Sequence, residues 1–206
     1  MCSSDLSAKQ TKMLKADFGY FFPTEHWHVI FSLCAGYMDT LKGWLGDHFD
    51  GSKLLWRGSR DGLDVMTFHR RCDNKGATLT VIKSMEGWIF GGYNPIDWKT
   101  PEDSRSSSWG SSTSKYSDCS NSFVFTLKNP NGTPPTQYFC HKQANAVYNN
   151  ADCGPSFGSG DLTVWRYRES SSIDFPSSYT DTTGFKNATF TGRSSFKVAE
   201  IEVFSI

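Results

Sequence analysis

Several features that would point to a specific class of protein are missing from this sequence. Lys and Arg together number 21, and so do Asp and Glu, which leaves no formal net charge. A protein that follows a phosphate backbone needs a basic face, so the composition argues against nucleic-acid binding. No apolar run approaches the ~20 residues that a membrane-spanning helix needs, and the N-terminus lacks the apolar core of a secretory signal. We therefore expect a cytoplasmic protein without a transmembrane segment.

Metal and nucleotide motifs are also missing. The six cysteines are widely spaced without a C-x-x-C pair, which is typical of reduced thiols in the cytosol. The sequence contains no H-E-x-x-H, no P-loop and no EF-hand loop. His26 and His28 lie on one side of a predicted strand but have no matching third ligand. We therefore expect neither a metal site nor a cofactor.

Aromatic residues are abundant instead, at 15% of the chain. Short β-rich segments are separated by glycine-containing turns, and no strand–helix–strand repeat occurs, which excludes a doubly wound parallel sheet. The predicted fold class is mainly β (α+β): a two-sheet antiparallel β-sandwich flanked by two or three short helices. Residues 1–24 are predicted to be an extension with one short helix, and residues 25–206 a single, monomeric domain.

Residues 53–93 carry the clearest pattern. Leu54 to Trp56 form a short apolar run that predicts a strand, and Val65, Phe68 and Cys72 recur at helical spacing. The segment TLTVIK is β-branched and alternating, as in a strand, and a Glu-Gly turn separates it from the next apolar run.

Other segments complete the prediction. A helix is expected over residues 37–48, and strands over 123–128, 137–141, 144–148, 162–165 and 196–204, the last with a bulge near Ala199 and Glu200. Two polar loops are expected, a serine-rich one at 104–122 and another at 169–183. The expected core contains Leu55, Phe68, Leu79, Val81, Phe90, Phe125 and Ile201.

Charged residues cluster around the helix that contains Phe68. A plain interpretation is a solvated face with local ion pairs, and a sharper one is a surface that binds a partner protein. Asp61 is also a candidate N-cap of that helix, because its carboxylate can accept a backbone N–H bond. The residues of the candidate partner-binding surface are Arg57, Arg60, Asp61, Arg70, Arg71, Asp73 and Lys75.

Two patterns suggest catalysis. Residues 154–158 match G-x-S-x-G, but the hydrolase order needs a histidine after the serine and the last histidine is His141, so we interpret this segment as a turn before a strand. His69 and Cys72 share one helix face and could form a thiol enzyme or redox sensor. That alternative needs an exposed thiolate of low pKa, whereas the apolar helix face already includes Cys72.

Six runs together resemble the TLDc domain of oxidation-resistance proteins: RGSRDG, FHRRCDNKGATLTVIKS, IFGGY, SFVFTLKNPNGTPP, GPSFGSGDL and VAEIEVF. They occur in the family's order and span roughly residues 30 to 206. The resemblance implies a β-sandwich flanked by short helices and a role in protection against oxidative stress. For several members it also implies binding and regulation of the vacuolar proton-pumping ATPase, which would place the protein peripherally on organelle membranes. It supplies no catalytic residues, so the predicted function is a non-catalytic interaction domain.

Overall fold

The computed structural model describes residues 36–46, 49, 51, 53–100, 116–165 and 171–206. The expected extension at 1–24, the histidine pair His26 and His28, and most of the serine-rich loop lie outside the described residues. The described helices are α1 (Met38–Leu45), α2 (Gly58–Asp61) and α3 (Val65–Cys72), with two 3₁₀ turns at Gln143–Asn145 and Lys186–Ala188.

Within the described residues, twelve strands form two sheets of six strands each. Sheet 1 has the order β1-β12-β2-β3-β5-β6, and sheet 2 has the order β11-β10-β9-β8-β7-β4. Every pairing within them is antiparallel, so the predicted two-sheet sandwich with short helices is confirmed. The strands are β1 (Leu54–Arg57), β2 (Thr78–Ser84), β3 (Ile89–Asn94), β4 (Tyr116–Ser117), β5 (Phe123–Lys128), β6 (Thr136–Phe139), β7 (Val147–Tyr148), β8 (Cys153–Phe157), β9 (Leu162–Trp165), β10 (Ser171–Ser172), β11 (Ser195–Phe196) and β12 (Val198–Ser205).

The centre of sheet 1 is buried on both faces. On the inner face, Phe157 of sheet 2 lies directly over Gly92, where an added Cβ would come within 2.6 Å of the Phe157 ring. The two sheets therefore approach closely only because residue 92 has no side chain. On the outer face, Trp44 of α1 packs against Phe123 and Phe125, with ring centroids 6.2 and 5.7 Å away. This double cover explains why five consecutive residues of β5, 123–127, are all buried.

The C-terminal strand is the partner of two strands and contains the predicted irregularity. β12 pairs with β1 on one side and β2 on the other. The register with β2 shifts between Val198 and Glu200, as the sequence predicts. Such a bulge bends the strand and turns side chains toward a different face. Glu200 and Glu202 are thereby brought beside Arg57 of β1.

Four sequence predictions require correction. Residues 144–148 form a 3₁₀ turn followed by the short strand β7 instead of one strand. Residues 154–158 are not a turn before a strand, because most of them belong to the buried strand β8. Leu55 is only partly buried against the core. Residues 171–183 are not a surface loop, since Ile173, Phe175 and Tyr179 are each at most 1% exposed.

A single buried carboxylate explains much of the last correction. Asp161, in the turn between β8 and β9, accepts backbone N–H bonds from Ser177, Ser178 and Tyr179 at 2.6 to 3.2 Å. Backbone donors of an irregular segment need acceptors once they leave water. Asp161 supplies them, which lets a segment rich in Ser and Thr pack inside the fold.

Candidate functional site

Helix α3 sits at the corner of sheet 1 where β1 ends, and its two sides have different roles. Asp64 caps the helix by accepting the Thr67 N–H at 2.8 Å, so the expectation that Asp61 caps it is wrong. Phe68 points inward and packs between Trp56 and Trp98, with ring centroids at 5.4 and 5.6 Å. The helix is therefore anchored by aromatic packing, which leaves its other side free for solvent or a partner.

Asp61 organises the outer charges of this corner. Its side chain is only 4% exposed and accepts bonds from Arg60 Nη2 at 2.8 Å and Arg71 Nη2 at 2.9 Å. It also accepts the backbone N–H of Arg57 at 3.0 Å. The hydrogen bond from Arg60, followed by the Arg57 amide, lowers the pKa of Asp61 although burial opposes this. Asp61 thus positions two arginines from separate helices.

Arg57 belongs to the interior side of the corner. Its Nε lies 3.4 Å from Glu200 and 3.5 Å from Glu202, and its side chain is 21% exposed. The Glu202 side chain is fully buried and neither of its oxygens has a hydrogen-bond partner among the described residues. Burial raises the pKa of Glu202 to about 8, because the nearby Arg57 only partly offsets the lost hydration. A weak signal for this group is visible in the sequence, where a glutamate stands between Ile201 and Val203 in an apolar strand.

His69 and Asp73 connect α3 to the second sheet. His69 Nδ1 lies 3.0 Å from Asp73 Oδ1, and Nε2 lies 3.1 Å from the carbonyl oxygens of both Asn150 and Cys153. The second oxygen of Asp73 accepts the Thr100 hydroxyl at 2.6 Å. Both ring nitrogens therefore contact structural partners, and the histidine ties the helix to the turn before β8.

Cys72 lies in the core, as its place on the apolar helix face predicts. It is 0% exposed, and burial raises the pKa of its thiol well above the ordinary value. The ring nitrogens of His69 face Asp73 and the two carbonyls instead. Burial likewise raises the pKa of Cys119, and that of Cys140 to about 11. None of these three thiols is poised as a thiolate nucleophile.

Four cations remain outward-facing once these contacts are assigned. Arg60 and Arg71 expose 50% and 41% of their side chains, and Arg70 and Lys75 are also exposed. Arg70 keeps one contact, a 3.2 Å bond from Nη2 to the Thr67 hydroxyl. We refer to Arg60, Arg70, Arg71 and Lys75 as the cationic rim. Asp61 and Asp73 are turned inward, whereas Asp64 is exposed near Arg70. Four exposed cations outnumber this carboxylate, so the rim is positive although the whole chain is neutral.

The serine of the G-x-S-x-G segment is buried within a strand. Ser156 is 0% exposed, and its hydroxyl donates to the Gly154 carbonyl at 3.2 Å within β8. Strand β9 follows it, where a nucleophile elbow would continue as a helix. Across the described ranges, no group of three His, Cys, Asp or Glu side chains could hold a metal ion.

A family comparison agrees with this geometry. The family model of the TLDc domain matches residues 47–206. The chain belongs to the TLDc domain family. This TLDc domain therefore comes from a family linked to oxidation resistance. No curated protein matches the chain significantly, and no helix within the described residues is both long and apolar enough to cross a bilayer.

Proposed function

We propose that this TLDc domain is a non-catalytic module that protects against oxidative stress by binding a protein partner, and that the partner is the vacuolar proton-pumping ATPase. The binding site is the cationic rim. The observation that carries this proposal is the arrangement of charge at the α3 corner, where Asp61 and Asp73 point inward and four cations point outward, with Asp64 as an exposed carboxylate at the helix cap.

The inward groups support an interaction role because each already has a structural task. Asp61 fixes Arg60 and Arg71, and Asp73 fixes His69. Catalytic acid–base pairs need freedom to exchange protons with a substrate within hydrogen-bond reach. Side chains that are already bonded to other groups of the protein favour a rigid binding surface over a catalytic site.

The rim has the character of a docking surface of moderate strength. Arginine is enriched at protein interfaces because its planar group forms paired bonds with carboxylates. Asp61 holds Arg60 and Arg71 in place, so less side-chain freedom is lost when a partner binds. Met66, 52% exposed on α3, adds an apolar contact beside these cations. We expect the complementary surface of the pump to be acidic.

The alternative, a thiol enzyme or redox sensor that uses Cys72 with His69, has less support. An enclosed thiol whose pKa is raised reacts slowly with peroxides, because the thiolate is the reactive form. Substitution of Cys72 by Ser separates the two functions. Unchanged peroxide protection in cells favours the interaction module, and loss of protection by a folded variant favours the thiol enzyme.

The interaction is tested by capture of pump subunits from cell lysate on the immobilised chain, with identification by mass spectrometry. The double substitution Arg70→Glu with Arg71→Glu should abolish capture. Lys142→Glu is the matched control, since Lys142 is also an exposed cation but lies outside the rim. Failure of the unmodified chain to capture any pump subunit rejects this partner, and equal capture by the rim variant rejects the rim as its site.

A further inference from the structure

One end of sheet 1 exposes apolar and cationic side chains together, and none of them belongs to the cationic rim. Met85 lies at the tip of the β2–β3 hairpin and is 66% exposed, more than any other large hydrophobic side chain in the described part of the chain. Trp88, across the turn, is only partly buried against the core. A single exposed apolar side chain is common on protein surfaces, so the neighbours of Met85 decide what its exposure means.

Three exposed cations surround this tip. Lys128 at the end of β5 places its Nζ 5.9 Å from the centre of the Trp88 ring. Arg193 and Lys197 lie close enough to Glu86 to help lower its pKa, after hydrogen bonds from its own backbone amide and from Ser84. We refer to Met85, Trp88, Lys128, Arg193 and Lys197 as the hairpin-tip patch. Glu86 is the one acidic residue of the turn at residues 85–88, so the end of the sheet is positively charged.

The strand pairing holds this patch in place. Met85 donates its N–H to the Lys197 carbonyl at 2.9 Å, and the Ser84 N–H donates to the Trp88 carbonyl at 3.0 Å. Pairing of Ile89 with Lys128 places β5 on the other side of the hairpin. Gly87 adopts φ 88°, a left-handed conformation suited to glycine in a tight turn. The exposed Met85 is therefore presented by a fixed backbone and not by a loop that must become ordered.

We propose that the hairpin-tip patch docks on the surface of an anionic lipid bilayer. Met85 enters the boundary between headgroups and acyl chains, where apolar side chains of peripheral proteins insert. Trp88 lies at the headgroup level, which favours an indole with one apolar and one polar side. Lys128, Arg193 and Lys197 contact the acidic headgroups, whose negative surface potential attracts basic residues.

The shape of the patch favours a bilayer over an acidic protein segment. Met85 projects from a turn and does not line a groove, so a protein partner would need a matching pocket. A bilayer accepts a projecting apolar side chain without one, because its surface adapts. Lys128, at the end of β5, lies on one side of the tip, and Lys197, between β11 and β12, lies on the other. These cations can therefore contact a surface on both sides of Met85 while Met85 inserts.

The test is sedimentation of the whole chain with vesicles of phosphatidylcholine, with and without phosphatidylserine. We expect binding only to vesicles that contain phosphatidylserine. The binding should weaken strongly as salt is raised from about 0.1 M to about 1 M, because the Debye length falls from about 10 to 3 Å. Equal binding to both kinds of vesicle, or none to either, overturns the proposal.

Substitutions assign the binding to the patch. Met85→Asp should lower the partition coefficient at least about tenfold, and Lys197→Ala about fivefold, the effect of about 1 kcal/mol for one basic residue at such a surface. Met66→Asp is the matched control, because Met66 is a second exposed methionine that lies on helix α3 and not at the hairpin tip. Circular dichroism verifies that each variant is folded. Folded Met85→Asp protein that binds as well as the unmodified chain overturns the proposal.

Two further outcomes also contradict it. An equal loss of binding in Met66→Asp would show that the lipid contact is not made by the hairpin tip. Binding of soluble polyglutamate without binding of phosphatidylserine vesicles would identify the patch as a site for an acidic protein segment. The cationic rim has no residue in common with the patch, so failure of the pump interaction leaves this test unaffected.

Discussion

The Asp161 turn and the α3 corner each bury a carboxylate, but they treat it in opposite ways. Asp161 accepts three backbone N–H bonds, from Ser177, Ser178 and Tyr179. Among the described residues, Glu202 has no hydrogen-bond partner, and Arg57 Nε lies 3.5 Å from its carboxylate. Burial raises the pKa of both groups, and the amide donors oppose it at Asp161. Two equally buried carboxylates therefore have different roles. Asp161 holds a backbone segment in place, and we call it the clamp; Glu202 titrates at a cost to stability, and we call it the weak point.

The first prediction concerns the apolar packing of the corner, against which its charges can be measured. Phe68→Ala should destabilise the protein by about 3–5 kcal/mol, because it removes a fully buried ring between Trp56 and Trp98. Urea denaturation followed by tryptophan fluorescence measures the loss. An unchanged midpoint contradicts the place of Phe68 in the core.

The second prediction tests the clamp. Asp161→Ala should destabilise the protein by about 3 kcal/mol, because three buried N–H groups lose their acceptor. Each unsatisfied group costs roughly 1–3 kcal/mol, and water that reaches the site recovers part of this cost. Hydrogen exchange should then accelerate at residues 177–179. Asp161→Asn keeps one acceptor oxygen and should lose less. If both variants denature like the original chain, Asp161 does not hold this segment.

The third prediction concerns the weak point. The folded pKa of Glu202, about 8, lies above the ordinary value of 4.5. Its proton therefore contributes stability that is complete below pH 4.5 and is lost as pH rises through about 8. Glu202→Gln removes this pH dependence, and the two proteins should diverge by on the order of 4 kcal/mol between pH 5 and pH 9, at about 1.4 kcal/mol for each pH unit below the folded pKa.

Urea midpoints measured from pH 5 to 9 check this, since most of the expected titration falls between 4.5 and about 8. The difference between the two curves is the informative quantity, because a constant offset cancels. Parallel curves for the two proteins would show that Arg57 keeps Glu202 charged throughout. The α3 corner would then stabilise its buried carboxylate, as the Asp161 turn does, although among the described residues Glu202 lacks the backbone N–H bonds that Asp161 accepts.

The smallest effect on stability is expected at the rim. Arg71→Ala breaks an ion pair with Asp61 in which the arginine is 41% exposed, and such pairs contribute about 0.5 kcal/mol or less. The thermal midpoint should barely change, whereas capture of the pump should weaken. A large loss of stability would assign Arg71 to the architecture of the corner and not to a binding surface.

Local patterns predicted part of this structure with accuracy. The spacing of Val65, Phe68 and Cys72 predicted α3, and the β-branched run predicted β2. The Glu-Gly turn and the bulge beside Ala199 were also predicted correctly. These features depend on neighbours in sequence, so periodicity and turn chemistry are enough to find them.

Long-range contacts explain the failures. Residues 171–183 look polar, but Asp161 provides acceptors for their backbone, and Phe175 and Tyr179 fill the core. Asp61 precedes α3 as a cap would, yet the arginines attract its carboxylate and Asp64 takes the cap. Of the candidate site, the rim arginines and Lys75 are exposed, whereas Arg57 turns inward to glutamates 143 and 145 positions later in the chain.

The sequence by itself determined the family, the two-sheet class and the elements β1, α3, β2 and β3, because each depends on local motifs and periodicity. It did not predict the short helix α2, which lies where a polar turn was expected. Tertiary structure decided which charged side chains are turned into the protein and which remain exposed to solvent. It turned Asp61 and Asp73 inward, enclosed Glu202, and left Met85 and its surrounding cations exposed at one end of the sheet. The charge and the partners of a carboxylate depend on its burial and on donors from distant segments. The residues next to it in sequence determine neither the burial nor the donors.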